Sequence, residues 1–275
     1  MPEKPHVSVI ILNWNGWKDT IECLETVLKS DYPVFNVILI DNNSQDESIK
    51  EIKKWANTPR YDGIKSKLPN LINPIHTNFI RIHDFSNKTA INFSEASISL
   101  SKNNINNKDI ILLKNDENVG FSIAINRGIK TSLTLFVSKY FYLLNNDTVI
   151  EKNAISQIIN NLQNYVKPIL VTSAIYDYYH SNNIENLGGK LRFYGKKTYY
   201  TKPKYDSSFH EISFITGCAL MIPHSIIKKY GYLSEKFFFG EEDYELSLRM
   251  KKNNVAMICL FSSKVYHKVT PTTIM

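Results

Sequence analysis

Long apolar runs are missing from this 275-residue chain. The six residues from Val7 to Leu12 form its clearest one, whereas a helix needs about 20 apolar residues to span a bilayer. The same run, following Met1-Pro-Glu-Lys-Pro-His6, is too short for a signal peptide. The expectation is a soluble, cytoplasmic protein whose association with the inner face of a membrane is at most peripheral. Cysteine is scarce: Cys23, Cys218 and Cys259 are lone thiols without CxxC spacing, which argues against a disulfide framework or a zinc site and for a reducing compartment. Glycine-rich phosphate cradles are also missing. There is no GxGxxG after the first apolar run and no GxxxxGK[ST] anywhere, so the backbone of a dinucleotide dehydrogenase or a P-loop enzyme is excluded. A diphosphate bound here needs a metal to help neutralise it.

Lys and Arg number 33 against 26 Asp and Glu, a net charge of +7, which favours anionic partners without choosing among phosphate esters, nucleic acid and membranes. The basic residues read as scattered, and no recognition motif accompanies them, so nucleic acid is not expected as a partner.

What is present is ample material for a core, with 43% of residues apolar, in a chain long enough for one large domain or two small ones. Val7 to Leu12 reads as a buried strand, and Trp17 to Lys29 as a helix with Ile21, Leu24, Val27 and Leu28 at helical spacing. Asn36 to Ile40 reads as a strand, and Ser44-Gln-Asp-Glu47 as a capping box opening a helix toward Trp55. From 57 to 108 no period holds, and Pro59, Pro69 and Pro74 interrupt it; this is read as an insertion with a short helix near 94–100. Strands over 109–114, 139–144 and 169–173 and helices over 121–130 and 151–162 then resume the rhythm. Such alternation predicts an α/β fold with a mostly parallel central sheet flanked by helices. After Asn186 the texture changes to a hairpin within LGGKLRFYGKKTYY, a strand over EISFITGCALMIP, an acidic helix start after FFFG and a last strand over 255–261. These predict a smaller mixed region, without a linker between autonomous domains.

In open parallel sheets, ligands bind beyond the C-terminal ends of the strands. The polar residues after successive predicted strands are Asn13-Trp-Asn-Gly16, Asp41-Asn-Asn-Ser44, Asn115 to Gly120 and Asn145-Asn-Asp147. Each alone is also what a turn requires, and Asn is abundant throughout this sequence. Together they form a row of carboxylates, amides and glycine able to meet a ribose, a base edge and a cation from one side.

Five blocks in order, VSVIILNWNG, VILIDNNSQDES, NDENVGFSIAINRG, YFYLLNNDTVI and FITGCALMIPHSIIKKYGYLSEKFFFGEEDYELSLRM, resemble family 2 glycosyltransferases, inverting enzymes of the GT-A fold. Within that family, NWNG and NNDT are most similar to a rhamnosyltransferase-like branch that builds bacterial surface polysaccharides. The resemblance implies that Asn13, Trp14 and Asn15 line a nucleoside pocket, and that Asp41, with Asn43 beside it, accepts from the base. It implies that the segment with Gly120 and Asn126 closes over the nucleotide, and that Asn145-Asn146-Asp147 takes the place of the family's Asp-X-Asp motif. Asp147 would then bind Mg²⁺ or Mn²⁺, while Asn145 departs from the pattern and would meet the ribose or a water. His267 would be a late metal or diphosphate ligand, against the reading of a histidine that merely ends a strand. Asp243 matches the general base, with Glu242 beside it; acidic residues also suit a helix N-terminus for its dipole alone. Phe237-Phe-Phe239 is either core or an apolar wall under a sugar, and Gly217 either admits a donor sugar or forms a bulge.

The resemblance thus implies one domain over 1–275, with a nucleotide-sugar-binding half over 1–175 and an acceptor and catalytic half over 176–275. It implies a metal-dependent inverting transfer of a hexosyl or deoxyhexosyl group from a nucleoside-diphosphate-sugar to a glycan or lipid-linked glycan. The alternatives are a non-catalytic nucleotide-sugar-binding homologue, supported by Asn145, and a sugar-phosphate nucleotidyltransferase, for which NWNGW lacks the basic glycine-rich loop.

Overall fold

A computed structural model describes residues 3–85, 104–192, 195–204 and 206–268. The strands are β1 (Val7–Asn13), β2 (Phe35–Asp41), β3 (Ile82–Asp84), β4 (Ile110–Lys114), β5 (Tyr140–Asn145), β6 (Thr148–Ile150), β7 (Leu170–Asp177), β8 (Ile184–Asn186), β9 (Gly189–Leu191), β10 (Lys197–Tyr199), β11 (Phe209–Glu211), β12 (Ala219–Pro223) and β13 (Met257–His267). The helices, numbered in order among the described residues, are α1 (Trp17–Leu28), α2 (Ser48–Ala56), α3 (Pro69–Ile72), α4 (Phe121–Leu135), α5 (Ala154–Leu162), α6 (His224–Tyr230) and α7 (Glu242–Lys252). The helix expected near 94–100 lies outside the described residues.

Strands β1, β2 and β4 and the flanking β3 and β5 run parallel, as the alternation of apolar runs with helical segments predicts. The main sheet has the order β11-β13-β7-β12-β5-β1-β2-β4-β3, with β6 added to β13 and β8 to β7. Strand β12 enters antiparallel between β5 and β7, whereas β13 is parallel to β7. A separate ribbon pairs β9 with β10.

The central strands read as continuous apolar runs because both their faces are buried. In β1, Val7, Val9 and Ile11 face the side of α1, α2 and α5, while Ile10 faces α4, α6 and α7. In β5 the same alternation sends Tyr142 and Leu144 to the first layer and Phe141 and Leu143 to the second. Within α4, Gly128 lets the helix lie close on the sheet, since a Cβ there would come within 2.7 Å of Ile40 Cδ1.

Four expectations change. Ser44 does not cap α2, whose N-cap is Glu47, because its hydroxyl is committed to Asp41 and Asn13. Of the stretch expected as one strand over 211–223, only 219–223 forms one, β12; β11 ends at Glu211, and the turn at Gly217 and Cys218 lies between them. The last strand runs on to His267 with a register shift between Leu260 and Lys264, which hid its period. Helix α6, with only Ile226 and Ile227 buried, was too short to show a period at all.

The segment over 57–85 is tied to the helices of the first layer. Buried Glu25 accepts from Trp55 Nε1 at 2.8 Å and faces His76 Nδ1 at 2.6 Å, and Tyr61 donates to Glu51 at 2.8 Å. At the far edge β3 pairs with β4. A buried carboxylate stripped of a donor costs about 1–3 kcal/mol. Trp55→Phe, which removes the indole N–H from Glu25, is therefore expected to destabilise the chain by about that amount, read as a lowered urea midpoint at unchanged m-value.

Candidate active site

Strands β1, β2 and β5 deliver their polar ends to one edge of the sheet, where a cleft of about 620 Å³ opens. Of the residues singled out from sequence, Trp14, Gly120, Asn145, Asn146, Asp147, Gly217, Glu242 and Asp243 line it. Trp14 stands 55% exposed, an aromatic face open to the cleft. Phe238 and Phe239, 62% and 77% exposed, form part of the wall, so the core reading of these two residues is excluded. Asn42, Asn118, Phe121, Thr216 and Cys218 also line the cleft and were not singled out from sequence, because nothing in a lone polar or aromatic residue marks which way a loop will turn it.

Other candidates do not line the cleft and bond to the chain itself. Asn13 is fully buried; its amide donates to Asp41 Oδ1 at 2.8 Å and to Ser44 Oγ, and its oxygen accepts from Thr20 at 2.7 Å. Asp41 also accepts from the Ser44 hydroxyl at 2.6 Å and the Ser44 N–H at 3.0 Å. Asn15, in the left-handed region at φ 51°, accepts from the Gln45 N–H at 2.7 Å. Asn43 adopts φ 61° at the same turn. These residues hold two strand-end loops together. Asn126, implied to contact nucleotide, is fully buried and faces α6's C-terminal loop: it donates to Leu233 O and Glu235, and accepts from the Leu233 N–H. Its amide is spent on the chain, which corrects the expectation.

The glycine at 120 likewise serves the chain. At φ +78°, its missing Cβ would sit 2.3 Å from the Phe238 carbonyl oxygen, to which Phe121 N–H donates at 2.8 Å. Gly120 thus admits the backbone of the aromatic wall. Gly217 has ordinary room, with Asp243 Cβ 3.9 Å from a Cβ placed there.

Pairing of β6 with β13 brings together two residues 120 positions apart. His267 sits opposite Thr148 in that pair, the Lys268 N–H donates to Asp147 O at 3.0 Å, and His267 Nε2 lies 3.4 Å from Asp147 Oδ1. On the other ring nitrogen, Glu185 Oε1 of β8 lies 3.5 Å from Nδ1, a carboxylate behind a histidine that sequence reasoning missed. The anchor behind this pair is Lys268, buried between Asp19 at 2.6 Å and Glu22 at 2.5 Å, with Tyr178 donating to Glu22 at 2.7 Å. Burial works against an imidazolium at His267, but Cys218, Asp147 and Glu185 around it raise its pKa. Burial also pushes the Cys218 thiol up.

Asparagine at 145 leaves its amide facing the cleft, with no side-chain hydrogen bond among the described residues. Asn146 instead donates to Thr20 at 3.0 Å and packs against Gly16.

Across the cleft, α7 starts with Glu242 and Asp243 after Glu241 in the left-handed region. Its first turn is fixed by Ser247, which donates to Asp243 O at 2.7 Å and accepts from the Ile215 N–H at 3.0 Å. Burial raises the pKa of Asp243, against the pull of the Lys197 ammonium and of the Tyr244 and Gly217 N–H groups. Burial raises Glu242 as well, with Asp243 and Glu241 adding to it. Among the described residues, buried side-chain atoms without a hydrogen-bond partner include Asp147 Oδ1, His267 Nδ1, Thr216 Oγ1 and Glu242 Oε2. Those of Asp147, Thr216 and Glu242 belong to residues that line the cleft, whereas His267 Nδ1 faces Glu185.

The model of the family described as glycosyl transferase family 2 matches residues 8–68 and 92–231, well over half of the chain. The chain belongs to glycosyl transferase family 2. The matched span ends before 241–243 and 267, so the placement of those residues in this family 2 chain rests on its own geometry. An uncharacterized glycosyltransferase of Rickettsia typhi is 29% identical over 162 residues, 57% of this chain and 48% of the relative; the chain spans about half the length of the curated relative it matches. Among solved structures, GalNAc-T7 with UDP, GalNAc and Mn²⁺ superposes at a TM-score of 0.65 and 13% identity, over 98% of this chain and 45% of that one. The mannosyltransferase PcManGT of Pyrobaculum calidifontis with GDP-Man and Mn²⁺ does so at 0.57 and 13%, over 98% and 59%. Residues 1–349 of S. aureus TarS reach 0.57 and 13%, over 95% and 60%. At such identities the likeness is one of fold, and the fold is GT-A.

A carboxyl whose folded pKa is raised contributes stability while it is protonated, and loses it as pH rises through the folded value. Ionised Asp243 therefore weakens the fold of this family 2 protein at neutral pH. Asp243→Asn is expected to raise the thermal midpoint at pH 7 by about 1–3 °C and to give no such gain below about pH 3. Calorimetric scans at the two pH values check it, and a lower midpoint at pH 7 contradicts the burial cost.

Proposed function

We propose that the chain is a metal-dependent, inverting glycosyltransferase that moves a sugar from a nucleoside-diphosphate donor to a hydroxyl of a glycan or lipid-linked glycan. The observation that carries this reading is that Asp147, with His267 Nε2 3.4 Å from its carboxylate, lines the same cleft as the Glu242–Asp243 pair. Solved neighbours of the same fold hold UDP or GDP-Man with Mn²⁺, which supports donors and a cation of that kind here.

The donor set suits a Mg²⁺ or Mn²⁺ ion. Asp147 offers a buried carboxylate oxygen without a hydrogen-bond partner, and His267 an imidazole nitrogen beside it. No group of three His, Cys, Asp or Glu able to hold a metal is present among the described residues, in keeping with an ion that takes its remaining oxygens from diphosphate and water. When bound, the ion supplies charge neutralisation at the leaving diphosphate. Glu185 orients the His267 ring from behind, as carboxylates do for metal-bound histidines.

Trp14 covers the base or ribose, and the Asn145 amide meets a donor hydroxyl. Asp243 takes the proton of the acceptor hydroxyl as its oxygen bonds to the anomeric carbon. The bond from that carbon to the diphosphate oxygen breaks on the opposite face, and nucleoside diphosphate leaves with the electron pair. One displacement gives inversion. A raised pKa makes Asp243 a better base at neutral pH, a feature that a non-catalytic sugar-nucleotide binder has no use for. The NWNG and NNDT blocks make rhamnosyl transfer, in surface polysaccharide synthesis, the first donor chemistry to test.

Asp147→Ala is expected to abolish Mn²⁺-stimulated release of nucleoside diphosphate, with turnover falling at least about 100-fold. Asp243→Asn is expected to keep donor affinity within about threefold while transfer falls at least about 100-fold. Full transfer by Asp243→Asn removes that residue as base, and Mn²⁺-dependent turnover in Asp147→Ala removes it as metal ligand. The acid limb of the pH–rate profile should fall as Asp243 is protonated. Lys197→Met, which takes away a cation holding that pKa down, should move the limb to higher pH.

A further inference from the structure

We infer that the acceptor is anionic, a glycan bearing carboxylate or phosphodiester groups, held by the β9–β10 ribbon beside the catalytic carboxylates. This rests on the glycosyltransferase reading above and extends it from donor to acceptor. Sequence reading takes the basic residues as scattered, yet between 190 and 204 lie Lys190, Arg192, Lys196, Lys197, Lys202 and Lys204, with no Asp or Glu. Six of the chain's 33 basic residues and none of its 26 acidic ones fall in this segment. It therefore carries all but one unit of the net charge of +7.

The ribbon abuts the catalytic helix. Lys197 Nζ lies 3.0 Å from Glu241 Oε1 and 5.1 Å from the ring centre of Tyr244. A Cβ on Gly195 would come within 2.5 Å of the Tyr244 hydroxyl. Tyr199 packs edge-on against Phe214 with ring centres 5.6 Å apart and is 49% exposed. Burial raises its phenol pKa, with Asp243 and Glu241 close enough to add to the effect. Lys197 and Tyr199 thus face the carboxylates, and Lys190 and Thr198, paired across the ribbon, face outward. Arg192 Nε reaches Thr198 Oγ1 at 3.4 Å on that outward side.

Only Lys197 among the six has a carboxylate within ion-pair distance among the described residues. Unpaired like charges held within about one Debye length repel one another, and a two-stranded ribbon has little stability of its own to set against them. An acceptor whose terminal hydroxyl sits at Asp243 and whose following residues carry negative charge would run across this ribbon and neutralise it. A neutral glycan would leave the repulsion in place.

The test is calorimetric titration of the full chain at low salt with two anionic oligosaccharides, an oligogalacturonate and an oligomer of glycerol phosphate, against a neutral dextran oligomer. Phosphatidylglycerol-containing vesicles form a further arm. At least one anionic oligosaccharide is expected to bind about tenfold or more tighter than dextran, with affinity falling as salt rises; which one binds tells carboxylate from phosphodiester. The exposed triple variant K190Q/R192Q/K196Q should lose about tenfold to hundredfold in that affinity, and K190R/K196R should retain it. Equal affinity for dextran, an unaffected triple variant, or binding to vesicles and to neither oligosaccharide overturns the inference. Titration of the wild-type chain with nucleotide sugars and Mn²⁺ separates the two readings. Donor binding without anionic selectivity defeats the acceptor inference alone; anionic selectivity without any donor binding defeats the glycosyltransferase reading.

Discussion

The site depends on one strand that changes neighbours along its length. Strand β13 runs beside β7 along both halves, with a register shift between Leu260 and Lys264, while its other edge passes from β11 to β6. The pairing of its second half with β6 brings His267 to Asp147. Because a slip of one residue would send every side chain to the opposite face, the apolar alternation of Met257, Ile258, Cys259 and Leu260 between the two core layers holds the histidine in place. The buried Lys268–Glu22–Asp19 cluster then secures the strand end to α1. A cation bonded by two carboxylates, one of them buried, is costly to disturb, so the Asp147–His267 contact is set by packing remote from the cleft.

The strand-end amides illustrate a division between contact and support. Asn13, Asp41, Ser44 and Thr20 form one buried network, and Asn42, Asn115 and Asn118 a second. Polar groups in a low-dielectric interior must be satisfied, and once satisfied they hold their loops in one arrangement. These residues define where Trp14 and the Asn145 amide stand. The opposite wall is built differently, with carboxylates left short of partners and raised in pKa by burial. The strand-end loops are held by side-chain hydrogen bonds, whereas Glu242 keeps a buried oxygen without a partner.

Much of this was legible beforehand. The first strands and helices announced themselves through uninterrupted apolar runs and helical spacing, since both faces of β1, β2, β4 and β5 are buried. The cleft's position at the ends of those strands followed from the parallel order. Short elements such as α6, β6 and β8 were not legible, because three to seven residues cannot display a period. Asn126 carried the right residue type for ligand contact and proved to serve the chain, a distinction invisible without knowing what packs against it.

By itself the sequence determined the alternation of strand and helix, the polar character of each strand end and the unbalanced charge of residues 190–204, because these are properties of local composition. Tertiary structure alone decided which polar groups face one another. Asp147 meets His267 through the pairing of β6 with β13, Glu185 reaches the histidine from β8, and Lys197 reaches Glu241 from the ribbon. Each of these contacts joins residues far apart in the chain, and hydrogen-bonded register in three dimensions fixes them where no local periodicity can.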